Sequence, residues 1–202
     1  MDKLLPAKKC KNHPFFIYEV WGDELFNTYA DLARYDAALH NPNLPFVVKQ
    51  HIKSAMFRDL RSGAKTIRDL FEEHKEKLQR GDDYCWYCHR PVPECGPLQA
   101  EHILPKNKGG LERSEGNIAF ACRNCNSSKG TKDFIQWYSE IFDNLPDLQL
   151  LRMYLKNVYQ FSIEKGLMDK TSEEVEAILS LPFSPHSMSI IRKLLKIATK
   201  IP

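Results

Sequence analysis

The chain has 202 residues, 43% of them hydrophobic and 27% charged, with a formal net charge of +3. That is the composition of an ordinary globular protein, long enough to bury a core. It excludes the dense positive charge of histone-like binders, so any phosphate-binding surface must be local. No run approaches the ~18 apolar residues of a membrane span. The start, MDKLLPAKKCKNHPFF, carries lysines but no apolar signal core. A cytoplasmic, reducing setting with no membrane contact is expected.

Residues 1–22 read as irregular, held by Phe15, Phe16, Tyr18 and Trp21, with a basic end at Lys3, Lys8, Lys9 and Lys11. Asp23 is the expected cap of a helix to about Leu39, with Leu25, Tyr29, Leu32 and Ala33 near one face. A second helix is predicted over Phe46–Arg61, closed by Ser62 and Gly63, and a third over about Lys65–Gln79. Beyond Gly130 the pattern is helical again, over Phe134–Phe142 and Leu148–Lys165, the latter after a capping Asp147. Thr171 and Glu174 form a capping box for a helix to about Leu181. Pro182 and Pro185 interrupt, and Met188–Thr199 reads as a last helix. The apolar stripes of these flanks read as core.

Between the flanks the chain changes character. It runs CWYC, EHILPKNKGG, GNIAF, CRNCNSSKG. Cys85 and Cys88 form one Cys-x-x-Cys pair, and Cys122 and Cys125 form another. In a reducing compartment such pairs point to metal, and four thiolates suit a tetrahedral structural zinc. A loop-rich segment of roughly 45 residues cannot bury enough apolar surface to hold itself, and zinc binding supplies the deficit. Redox use of these cysteines is disfavoured, because no thioredoxin-like βαβ pattern surrounds them. Cys10, Cys95 and His89 lack paired spacing and are left out of the ligand set. Trp86 and Tyr87 are expected to pack against the knuckle.

The insert between the pairs holds Glu101, His102 and Asn117, and Asn126 follows the last cysteine. A strand is predicted over Leu98–Ile103, returning as Ile118–Ala121 after a turn through Gly109 and Gly110. Alternation puts Glu101 and His102 on opposite faces unless the strand ends there, as Pro105 suggests. Ile118 and Phe120 are expected to pack under a helix that starts near Arg123. Asn126 and Lys129, three apart, face the same way on that helix. From Glu101 to Lys132, six cations stand against three carboxylates. Lys106, Lys108, Arg123 and Lys129 are the candidate phosphate contacts, against a reading as plain solvated surface.

The combination Glu101-His102, Asn117 and Asn126 within CRNCNSSKG resembles the HNH endonuclease family, the ββα-metal nucleases, over about Tyr84–Lys132. The resemblance implies an α+β fold, with a zinc-braced ββα-metal core embedded in a mostly α-helical protein. The expected division is a helical region at 1–80, a nuclease domain at 81–133 and a second helical region at 134–202. It also implies His102 as general base, with Glu101 and Asn126 as oxygen ligands of a catalytic Mg²⁺ or Mn²⁺. Asn117 would fix the loop that aims His102. Glu101 stands where many members have Asp, and Asn126 where the family name promises His. The expected activity is metal-dependent hydrolysis of DNA, with RNA as second candidate, in restriction or anti-phage defence. A partner such as an ATPase of a defence system would then hold the nuclease silent, and cutting of both strands would call for a homodimer. The rival reading is a non-catalytic, zinc-dependent nucleic-acid-binding module.

Overall fold

The helical periodicity of the flanks is realised around a small antiparallel hairpin, giving an α+β fold dominated by helices. The structure, a computed structural model, describes residues 20–75, 83–110, 116–142 and 144–198. The lysine-rich end at Lys3 to Lys11, and Cys10 with it, lies outside the described residues. Among the described residues, no helix is long and apolar enough to cross a membrane.

Helix α1 spans Trp21–His40 and buries Trp21, Leu25, Tyr29 and Leu32. It starts two residues before the expected cap, Asp23. Its first N–H groups are met by the fold rather than by a local side chain. The Trp21 N–H donates to the Lys170 carbonyl at 2.7 Å and that of Gly22 to Met168 at 3.1 Å. Asp23 sits instead in the first turn, where a carboxylate favours the positive helix end, and pairs with Arg61 at 3.0 Å. Helix α2 spans Phe46–Ser62 and stops at Gly63, whose φ of 75° is left-handed. Helix α3 spans Ile67–Lys75, with the Thr66 hydroxyl accepting from the Asp69 N–H.

A short α4, Val92–Cys95, leads into strand β1, Leu98–His102, which pairs with β2, Ile118–Cys122. Helix α5, Arg123–Lys129, follows β2 without a linker. Next come α6 at Phe134–Ile141, α7 at Leu148–Glu164, α8 at Ser172–Glu176 and α9 at Ser187–Ala198. The capping box of Thr171 and Glu174 is present in full. Asp147 stands at the N-cap of α7 but makes no side-chain cap bond. Helix α8 ends at Glu176, five residues short of the expected Leu181. Ser180 takes a left-handed φ of 68°, which turns the chain so that Phe183 stacks on Trp21 at 5.5 Å. The buried side chains form one continuous cluster, from Trp21 through Tyr87, Trp137 and Tyr154 to Leu195.

Asp133 ties three segments together. Its carboxylate accepts from the Gln136 N–H at 2.9 Å, capping α6, and from the Tyr154 hydroxyl of α7 at 2.6 Å. It also accepts from the Ser184 N–H at 2.9 Å and the Ser187 hydroxyl of α9 at 2.6 Å. Tyr154 and Ser187 are fully buried, so removing the carboxylate leaves their hydroxyls without water. The loss of a cap, at about 1 kcal/mol, adds to the cost of orphaned buried donors. Asp133→Ala should therefore cost about 3–5 kcal/mol in urea or thermal unfolding. Asp169→Ala, on an exposed turn residue, should stay within about 0.5 kcal/mol in the same assay.

Candidate active site and metal centre

The sulfur atoms of Cys85, Cys88, Cys122 and Cys125 all lie within 4.8 Å of one another. The first pair sits in a tight turn, where the His89 N–H returns to the Cys85 carbonyl at 2.9 Å. The Trp86 N–H donates to the Phe120 carbonyl at 2.9 Å, which stitches this turn to β2. The second pair lies at the junction of β2 and α5, and the Cys122 N–H donates to the Cys85 sulfur at 3.3 Å. A hydrogen bond from Cys125 holds the Cys85 thiol down near 4, and the same bond pushes the Cys125 thiol up. Burial pushes Cys122 up as well. Such a cluster cannot carry four negative charges by itself, and a bound cation is what would let every sulfur ionise. Four soft donors this close fit a tetrahedral ion with sulfur ligands at about 2.3 Å. Cys95 stands apart, with its thiol directed to the Arg90 carbonyl at 3.3 Å, and His89 approaches Asp147 at 3.7 Å.

The hairpin has two different faces. In the register Gln99 opposes Ala121 and Glu101 opposes Ala119, so these four share a face. Helix α5 lies over it: Asn126 donates to the Gln99 side chain at 2.8 Å, and the Lys129 ammonium donates to Glu101 at 2.7 Å. The expectation that Ile118 and Phe120 lie under this helix is corrected. Ala119 and Ala121 lie there, fully buried, because their short side chains let helix and strand close on each other. Phe120 packs edge-on against Trp86 at 5.6 Å instead. Alternation supplies two faces but does not say which one the helix takes.

Glu101 is buried and doubly engaged. The Tyr87 hydroxyl donates to Oε2 at 2.6 Å, and Lys129 holds Oε1. Burial pushes the Tyr87 phenol well above its usual range, and the adjacent carboxylate pushes it the same way. Burial pulls the Lys129 ammonium down, and Glu101 opposes that pull. Lys129 also donates to the His102 carbonyl at 2.9 Å and has no exposed surface. The expected phosphate contact at Lys129 is therefore corrected, because its charge is spent inside the hairpin. Sequence reasoning missed Gln99 altogether and did not give Tyr87 its bond to Glu101. The shared strand face of residues 99 and 101 was the available signal for Gln99.

Strand β1 ends at His102, whose imidazole is on the opposite face from Glu101 and partly exposed. Just beyond, Asn117 clamps the turn. Its Oδ1 accepts from the Leu104 N–H at 2.9 Å, its Nδ2 donates to the Leu104 carbonyl at 3.3 Å, and its own carbonyl takes the Ile103 N–H at 2.9 Å. The helical body braces this turn from behind. Asn157 of α7 donates to the Gly116 carbonyl at 2.8 Å, and a Cβ on Gly116 would sit 2.6 Å from the Phe71 ring.

Lys106 and Arg123 are exposed, and Lys108 is partly so. Lys108 and Lys132 line a cavity of about 260 Å³ between the hairpin turn, α6 and the chain at Leu181 to Ser184. For a hard divalent ion the donors on offer are the free lone pairs of the Glu101 carboxylate and the Asn126 amide oxygen. The Asn126 Nδ2 is used by Gln99, which turns its oxygen away as the remaining ligand atom. Oxygen donors of this kind fit Mg²⁺ or Mn²⁺. Glu101 would have to share its charge with Lys129.

Residues 85–132 match the family model described as HNH endonuclease. A CRISPR-associated endonuclease Cas9 of Corynebacterium diphtheriae is 28% identical over 109 residues. That match covers 46% of this chain and 10% of the relative, so the chain spans only a small part of that protein's length. No solved structure matches. The sulfur-bearing turn, the β1–β2 hairpin and helix α5 together make residues 85–132 an HNH endonuclease domain.

Proposed function

We propose that this chain is a metal-dependent endonuclease that hydrolyses phosphodiester bonds of DNA. The observation that carries the reading is the end of β1, where Glu101 lies under α5, His102 closes the strand on the opposite face, and Asn117 clamps the turn that follows. The domain at 81–133 is the catalytic unit, and the regions at 1–80 and 134–202 are its helical support. Zinc at the four cysteines holds the fold of the hairpin. A relative named as a CRISPR-associated endonuclease supports the nuclease reading with DNA as substrate; a setting in defence, with a silencing partner such as an ATPase, is proposed with it. Clustered thiol ligands suit a reducing cytoplasm.

His102 takes a proton from the attacking water, a task an imidazole performs near neutral pH. Asn117 holds the backbone at Leu104, which fixes the turn that follows His102. Glu101 and Asn126 would hold the divalent ion, which supplies charge neutralisation at the phosphate. Lys106, Lys108 and Arg123 attract the phosphate backbone from the surface. Their contribution weakens as salt rises.

Plasmid DNA incubated with Mg²⁺ or Mn²⁺ should be nicked or linearised, and EDTA should stop it. His102→Ala should slow cutting by about 10²–10⁴-fold. DNA retained on a gel but never cut, with either metal, would replace the nuclease by the binding-only module. Preferential cutting of RNA would move the substrate and keep the chemistry. The zinc assignment is checked separately. Mercurial titration of the thiols should release about one zinc per chain to a colorimetric chelator, and Cys122→Ser should release none.

A further inference from the structure

We propose that Lys129 is a built-in counter-cation of the candidate site, one that occupies Glu101 before a divalent ion arrives and competes with that ion for the carboxylate. The inference rests on the nuclease reading and deepens it, because it concerns how the metal site is kept when empty. Lys129 is the last residue of α5, and Gly130 follows with a φ of 50°. Its side chain is fully buried, yet it ends on charged and polar groups rather than in solvent. Nζ lies 2.7 Å from Glu101 Oε1 and 2.9 Å from the His102 carbonyl. One ammonium thus holds the two residues that the nuclease reading needs most.

A buried carboxylate keeps its charge only beside a partner. Here Lys129 is that partner on one oxygen, and the Tyr87 hydroxyl serves the other. The surroundings of Lys129 are mixed: Asp133 favours its charge and Lys108 opposes it. A divalent ion drawn to Glu101 and Asn126 brings a second positive centre to a carboxylate already neutralised. Its binding must loosen the ammonium or share the carboxylate with it. Lys129 is accordingly a positioning residue. It keeps Glu101 aimed, and it sets a threshold for metal occupancy.

The test is Mn²⁺ binding to the zinc-loaded, full-length protein without nucleic acid, read by the EPR signal of the free ion. Removing the competitor should tighten binding, so Lys129→Met should lower the Mn²⁺ dissociation constant by about tenfold, the effect of about 1.4 kcal/mol. Lys129→Arg keeps the charge and should bind like wild type or more weakly. Glu101→Gln should bind Mn²⁺ poorly whatever stands at 129. A salt bridge of purely structural value would lower the melting temperature in Lys129→Met while leaving Mn²⁺ binding equal or weaker, and that result overturns the proposal. Should Lys129→Met fail to fold, the wild-type protein answers. Its buried Lys129 ammonium should give a protected ¹⁵N–¹H resonance that shifts as Mg²⁺ is added, and a resonance unmoved at saturating Mg²⁺ overturns the proposal. If wild type cuts DNA with Mn²⁺ but Lys129→Met binds the ion no tighter, the competitor fails and the nuclease reading stands. If neither protein binds Mn²⁺, the metal site and the competitor fall together.

Discussion

Four sulfur atoms within 4.8 Å of one another are the constraint on which the hairpin depends. Strands β1 and β2 have five residues each and, among the described residues, pair only with each other. An isolated two-stranded hairpin is marginal in water at best. The sulfur cluster joins the turn at Cys85 and Cys88 to the start of α5, so three pieces become one unit. The Trp86 N–H bond to Phe120 and the Cys122 N–H bond to the Cys85 sulfur are local consequences of that junction. With α5 anchored at its first turn by Cys125, its last turn has little freedom. Lys129 is thereby brought over Glu101.

The helices are not passive flanks. Asn157 of α7 holds the Gly116 carbonyl, one residue before the Asn117 clamp. Gly116 stands at a φ of 82° against Phe71 of α3, a place where any Cβ would strike the ring. Asp133, four residues beyond Lys129, locks α6 to α7 and to the start of α9. Tyr87 spans both worlds. Its ring packs on Phe134 and Trp137 at 5.4 and 5.2 Å, while its hydroxyl meets Glu101. Rigidity at the hairpin is thus borrowed from a core that begins at Trp21 and ends near Leu195.

What could be read from the residues, and what could not, divides along a physical line. The cysteine pairs were legible because knuckle spacing is local, and the Thr171 capping box for the same reason. The α2 boundary followed from Gly63. Features made by distant partners were not legible. The start of α1 is set by carbonyls at Lys170 and Met168, which no window around Trp21 contains. Asp133 looks like an ordinary helix cap until Tyr154 and Ser187 close on it. Lys129 was counted with the surface cations because a formal charge carries no direction. Helical spacing did place it beside Asn126, but the side of α5 they share is the one pressed on the hairpin. The choice between Ile118 with Phe120 and Ala119 with Ala121 had the same defect, since alternation is blind to which face is covered.

The burial of Lys129 also changes what the positive charge of this segment means. Pairing with Glu101 cancels one charge of each sign, so the local excess is untouched while its location moves outward. Among the described residues, the cations left on the surface, Lys106, Arg123 and the Lys108–Lys132 pair, lie around the hairpin rather than in it. In the proposed nuclease, attraction for phosphate then belongs to the rim and ion binding to the interior. A buried ion pair is a poor way to stabilise a hairpin, because desolvation consumes most of the Coulomb gain and a well-packed apolar pair of similar volume often holds as well. Two methylene-rich side chains between α5 and β1 would have served packing at less cost. The pair of Glu101 and Lys129 is better explained by the need for a carboxylate held in a dry place with a cation beside it. That need arises where a cation is to be received, and it ties this costly contact to the chemistry proposed for it.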